Sequence, residues 1–136
     1  MLVDLQVNGY KGLSFTPKEG TSVSIDELRL LCRAYFRDAA VVAFVPTMVT
    51  SSMATYQQVL PILADLVEDH EFRGRLPGIH LEGPFISPLP GAIGAHNVAS
   101  VTTPSVEAFN ELQTLARGHV RILTIAAEVE GLLSTE

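Results

Sequence analysis

The strongest constraint on this chain is a repeated alternation of short apolar, strand-like runs with apolar patterns at helical spacing. Leu2, Val3, Leu5 and Val7 surround Asp4 and Gln6, and Asn8-Gly9 then breaks the run, which reads as a strand entering a loop. Residues 13–23 read as a long polar loop. Ser24, with Glu27 three residues on, forms a capping box. Ile25, Leu28, Leu31, Cys32, Tyr35 and Phe36 follow at helical spacing. Val41 to Val45 is wholly apolar and ends at Pro46, the pattern of a buried parallel strand. Ser51 or Ser52 caps a second helix, with Tyr56, Val59, Leu60, Leu63, Leu66 and Val67 inside; Pro61 predicts a kink or a break. Leu76 to Leu81 reads as a third strand, interrupted near its start by Pro77-Gly78. After a second long loop over 83–103, Thr103 caps a third helix with Pro104 at its first position, running to Ala116 and ended by Gly118. Val120 to Ala126 is the fourth strand, and the last residues begin another connection. The order βαβαβαβ predicts a parallel sheet with right-handed crossovers.

Composition excludes several alternatives. Of 136 residues, 47% are hydrophobic, enough apolar surface to offset the entropy of ordering and so exclude disorder. One cysteine, Cys32, cannot bridge within the chain, and its place on an apolar helix face predicts packing. No apolar run approaches the roughly 18 residues of a membrane span. Met1 to Gly12 carries Asp4, Gln6 and Asn8, unlike a signal peptide. The expectation is a cytoplasmic chain with no membrane partner. The net charge is −6, and residues 41–136 hold only four bases (Arg73, Arg75, Arg117, Arg121). Without a basic stripe, nucleic acid is not an expected partner.

Ligands of parallel α/β folds bind at the C-terminal ends of the strands. The predicted strand ends carry Gln6 and Asn8, then Thr47 with Thr50, then His80 and Glu82, then Glu128. Strand alternation puts Gln6 with Asn8, and His80 with Glu82, on common faces. A buried Glu82 needs a partner, either a divalent metal or a hydrogen-bond network. His70 and His119, beside helix ends, read as surface residues. Asn8-Gly9-Tyr10-Lys11-Gly12 is no phosphate-loop fingerprint, which argues against a doubly wound small-molecule or protein-binding module.

Five segments occur in an informative order: Asp4 to Gly9 (DLQVNG), Val45-Pro46-Thr47 with Thr50, Pro77 to Phe85 (PGIHLEGPF), Gly94-Ala95-His96, and Leu123 to Glu128 (LTIAAE). Together they resemble the N-acetylglucosamine-6-phosphate deacetylases of the amidohydrolase superfamily, from residue 2 to about 131. The resemblance implies an α/β fold: the N-terminal half of a (β/α)8 TIM-type barrel, truncated, with about four of the eight strands. Residues 1–136 would be a partial amidohydrolase barrel, with the flanking β-sandwich segments absent. The implied reaction is metal-dependent removal of the acetyl group from N-acetylglucosamine 6-phosphate, giving glucosamine 6-phosphate and acetate. The implied cofactor is one divalent metal ion, zinc, and the implied partners are an amino-sugar phosphate and a second subunit in a dimer.

By position in these motifs, Glu82 is the implied metal ligand, and Ala95 and His96 the substrate contacts. Gln6, Asn8, His80 and Glu128 are implied to line the site. Amides at Gln6 and Asn8, where superfamily relatives have histidines, imply a single-metal site. Ala127 replaces the family's usual proline before Glu128, and Leu89 to Ile93 lacks the basic residues common before Gly94-Ala95-His96. The family's metal-binding histidines and catalytic aspartate belong to later strands, so the chain alone is expected to be inactive. The competing expectations are another amidohydrolase, acting on a different N-acyl sugar or a cyclic amide, and a non-catalytic α/β binding fragment.

Overall fold

The computed structural model describes residues 2–18 and 20–129. The elements run β1 (Val3–Val7), β2 (Gly9–Tyr10), β3 (Leu13–Ser14), α1 (Ile25–Asp38), β4 (Ala43–Val49), α2 (Met53–Glu68), β5 (Ile79–Glu82), α3 (Val106–Leu115) and β6 (Val120–Thr124). Single 3-10 turns lie at His70–Phe72 and Val98–Ser100. Strands β1, β4, β5 and β6 form one parallel sheet in that order. The spatial order follows the chain order, without the reversal that makes a crevice in doubly wound sheets. The alternation read from the sequence is therefore the architecture.

One layer of helices packs on one face of this sheet. Phe44 and Met48 of β4, and Ile79 and Leu81 of β5, meet Leu28 and Leu31 of α1, Leu60 and Leu63 of α2, and Leu112 of α3 in a single core. Each such side chain, fully buried, stabilises the fold by about 1.5–3 kcal/mol. Phe44 also lies against the rings of Phe15, Tyr35 and Phe36, with centroids 4.8–6.1 Å away. The intervening strand residues, Thr47, His80 and Glu82, face the other side.

Local signals explain the element ends. The capping box at the start of α1 forms: Glu27 N–H donates to Ser24 Oγ, and Ser24 N–H donates to Glu27 Oε2 at 2.8 Å. Cys32 is buried on α1, and burial pushes its thiol up to about 12, so it is an inert packing group near pH 7. His70 is exposed and His119 pairs with Glu68 at 2.7 Å outside the core, as expected of surface residues.

Several boundaries differ from the sequence reading. The expected break after Val7 contains a small hairpin, β2 with β3, in which a Cβ at Gly9 would fall 2.3 Å from the Leu13 carbonyl oxygen. Strand β4 does not end at Pro46 but continues to Val49. The ladder to β5 resumes immediately beyond the proline, at Thr47 with His80, so the one N–H that Pro46 lacks does not end the strand. Helix α2 passes through Pro61 as one element. Its missing N–H releases the carbonyl of Gln57, an exposed residue that water can serve. Strand β5 begins at Ile79, beyond Pro77-Gly78, and β6 ends at Thr124. The cap of α3 is Ser105, whose hydroxyl accepts from Ala108 N–H, so Thr103 and Pro104 precede the helix. The connection expected after β6 extends over 130–136, outside the described residues.

Candidate functional site

The site is built where β1, β4, β5 and β6 end. Thr47 pairs in register with His80, and Val49 with Glu82. On the other side, Thr124 pairs with Glu82. His80 and Glu82 thus share a face and are flanked on both sides by hydroxyl-bearing strands.

Glu82 is half-buried and held at two points. Asn8 Nδ2 donates to its Oε2 at 3.1 Å, and Thr50 Oγ1 donates to its main-chain carbonyl at 2.7 Å. The next residue, Gly83, has φ of +92°, and a Cβ there would fall 2.1 Å from Thr50 Oγ1. Glycine is thus required twice over, by conformation and by the close approach of Thr50. The second carboxylate oxygen, Oε1, lies 3.9 Å from His96 Nε2. Nδ1 of His96 is buried and has no hydrogen-bond partner among the described residues.

His96 and Ala95 reach this point on the long loop after β5. With Thr16, Thr50, Ser51, Ser52 and Thr55 they line a cleft of about 200 Å³. The hydroxyls of its walls offer hydrogen bonds to a small polar ligand.

His80 is buried and engaged at both ring nitrogens: Nδ1 with Thr47 Oγ1 at 3.2 Å and Nε2 with Thr124 Oγ1 at 2.7 Å. Burial holds its imidazole below the usual histidine value, against the opposing charge of Glu82. It is neutral near pH 7.

The remaining expected site residues, Gln6 and Glu128, make no side-chain hydrogen bond among the described residues. Asp4 accepts from Tyr35 of α1 at 2.6 Å while Val7 sits in the core, and the β1–β4 register shifts between them. Of the two amides, Asn8 reaches Glu82, whereas Gln6 is exposed and makes no side-chain hydrogen bond among the described residues. Glu128 is exposed in the turn after β6, with no side-chain partner among the described residues. Thr47, Thr50 and Thr124 hold the site together but had no assigned role in the sequence reading. Their only signal was hydroxyl residues at successive strand ends.

A divalent ion fits this donor set only in part. Among the described residues, no group of three His, Cys, Asp or Glu side chains is placed to hold a metal. Catalytic zinc sites take about three protein ligands. The described residues offer the free Oε1 of Glu82 and, beside it, one imidazole.

Comparison with known proteins places this geometry. No family model matches the chain. The N-acetylglucosamine-6-phosphate deacetylase of Caenorhabditis elegans is 33% identical over 133 residues, covering 95% of this chain and 31% of that protein. The Bos taurus deacetylase is 34% identical over 132 residues, covering 93% and 30%. The crystal structure of the Mycobacterium smegmatis deacetylase matches with a TM-score of 0.77 at 28% identity, covering 96% of this chain and 34% of that one. Its relatives are N-acetylglucosamine-6-phosphate deacetylases. The chain spans about 30% of the length of these curated deacetylases. A variant of the Mycobacterium smegmatis deacetylase, solved in complex with N-acetyl-D-glucosamine-6-phosphate, matches equally well, with a TM-score of 0.78. No described helix is long and apolar enough to cross a membrane.

Proposed function

We propose that this chain forms part of a metal-dependent deacetylase that hydrolyses N-acetylglucosamine 6-phosphate to glucosamine 6-phosphate and acetate, a step of amino-sugar breakdown. In this reading residues 1–136 are the N-terminal half of a (β/α)8 barrel. The unreversed order β1-β4-β5-β6 supports barrel winding, with the helices outside and the polar face of the sheet inward. The observation that carries the function is the convergence of three strand ends on Glu82: Asn8 on its carboxylate, Thr50 on its carbonyl, and Thr124 beside it.

Hydrolysis joins the oxygen of water to the acetamide carbonyl carbon, breaks the C–N bond and leaves a proton on the amine. Glu82 contributes one carboxylate ligand toward the divalent ion, zinc, whose other ligands lie outside the described residues. Asn8 fixes which carboxylate oxygen remains free. Ala95 and His96 contact the sugar from the cleft wall. In this reading the 136-residue chain does not turn over substrate alone, which the incomplete donor set among the described residues supports.

The test is acetate release from N-acetylglucosamine 6-phosphate with zinc present. The isolated chain is expected to release none. Adding the remaining part of a relative's sequence in trans is expected to restore release, and Glu82→Gln to abolish it. Acetate from the isolated chain would overturn the incompleteness, and a fully active Glu82→Gln complex would overturn the role of Glu82.

A further inference from the structure

Among the described residues, His80 is the one buried titratable side chain on the polar face that the proposed reaction leaves unused. Its surroundings define its state. Thr47 Oγ1 has three neighbours: Val7 N–H at 3.1 Å, the Val45 carbonyl at 3.2 Å and His80 Nδ1 at 3.2 Å. A threonine hydroxyl has one proton to donate and two lone pairs to accept with. All three contacts are satisfied together only if the hydroxyl donates to Val45 and accepts from both Val7 and His80. Nδ1 of His80 then carries the proton. Nε2 is the acceptor, and the Thr124 hydroxyl donates to it.

The resulting chain has one direction: Thr124 O–H to His80 Nε2, His80 Nδ1–H to Thr47 Oγ1, Thr47 O–H to the Val45 carbonyl. It crosses from β6 through β5 to β4. The β5–β6 register is irregular between Ile79 and His80. The imidazole reaches forward at that irregularity to Thr124, which is the partner of Glu82.

We propose that His80, as its Nδ1–H tautomer, is a positioning residue that ties β4 to β6 and thereby sets Glu82 against Asn8. Its importance to catalysis rests on the reading of Glu82 above; its effect on geometry does not. With Nε2 occupied by Thr124, His80 is not a ligand or a proton carrier, although it stands two residues from Glu82 on the same face.

The test is nuclear magnetic resonance on the 15N-labelled chain, reading the His80 ring nitrogens and the Asn8 side-chain amide near pH 7. Protonated Nδ1 and unprotonated Nε2 are expected. Thr124→Val keeps the side-chain shape at an exposed position and removes the donor. It is expected to shift both Nε2 of His80 and the Asn8 amide, while Thr124→Ser leaves both close to the parent spectrum. A protonated Nε2 in the parent would overturn the proposal without any variant. So would an Asn8 amide unmoved by Thr124→Val, or one moved as far by Thr124→Ser. These signals do not depend on turnover, so failure to release acetate tests the deacetylase reading separately.

Discussion

The two faces of the sheet are held by different physics. On the helix-covered face, Phe44, Met48, Ile79 and Leu81 are wholly apolar and wholly buried, and any similar volume would serve. On the opposite face, Thr47, His80, Glu82 and Thr124 depend on directed hydrogen bonds at 2.7–3.2 Å, with Asn8 and Thr50 completing the set. The first face supplies stability with loose specification of residue type. The second supplies geometry, and each of its members is specified by the partner it must reach.

The comparison can be broken most forcefully on the apolar face. Phe44→Ala removes a ring packed against three others and is expected to cost about 3–5 kcal/mol, read as a lowered denaturation midpoint. A loss below about 1 kcal/mol would mean that this face does not carry the core.

At the polar strand ends the expected effects are smaller and more local. Gly83→Ala combines the positive φ with the contact on Thr50 and is expected to cost about 1–3 kcal/mol. Adding Thr50→Ala should recover the part due to contact and leave the part due to backbone strain. Full recovery would show that the conformation at Gly83 is not strained.

The finest division is within β1. Asn8→Ala removes a half-buried hydrogen bond to a carboxylate and is expected to cost about 1 kcal/mol, whereas Gln6→Ala should stay within about 0.5 kcal/mol. Equal costs in denaturant titrations would erase the distinction drawn between these two amides.

Legibility in the sequence followed the same division. Helix α1 was readable because its start is chemical and local: a serine, a glutamate three residues on, and an apolar stripe. The buried strand β4 was readable as a run of apolar residues, but its end was not. Pro46 is a stop signal by local rules, and it is overruled by the β4–β5 pairing that resumes at Thr47. The cap of α3 is ambiguous in the sequence, since Thr103 and Ser105 are both capping residues and only the path of the chain selects Ser105.

For the candidate site, Glu82, Asn8, His80, Ala95 and His96 were all singled out from motif and position. Alternation puts Gln6 with Asn8, but only Asn8 bonds to Glu82, and Gln6 makes no side-chain hydrogen bond among the described residues. The three threonines that hold the site carry no role in the sequence because a hydroxyl is meaningful only with its partner, and the partners here lie 32–44 residues away in the chain.

What the sequence determined by itself is the alternation of strand and helix, the apolar face of each element, and the strand ends as the place of chemistry. These follow from periodicity and short-range capping, which act within a few residues. What only the tertiary structure decided is which side chains meet: Asn8 rather than Gln6 on Glu82, and His80 strung between Thr47 and Thr124. Those contacts depend on strand register, and one residue of slip turns a side chain to the opposite face.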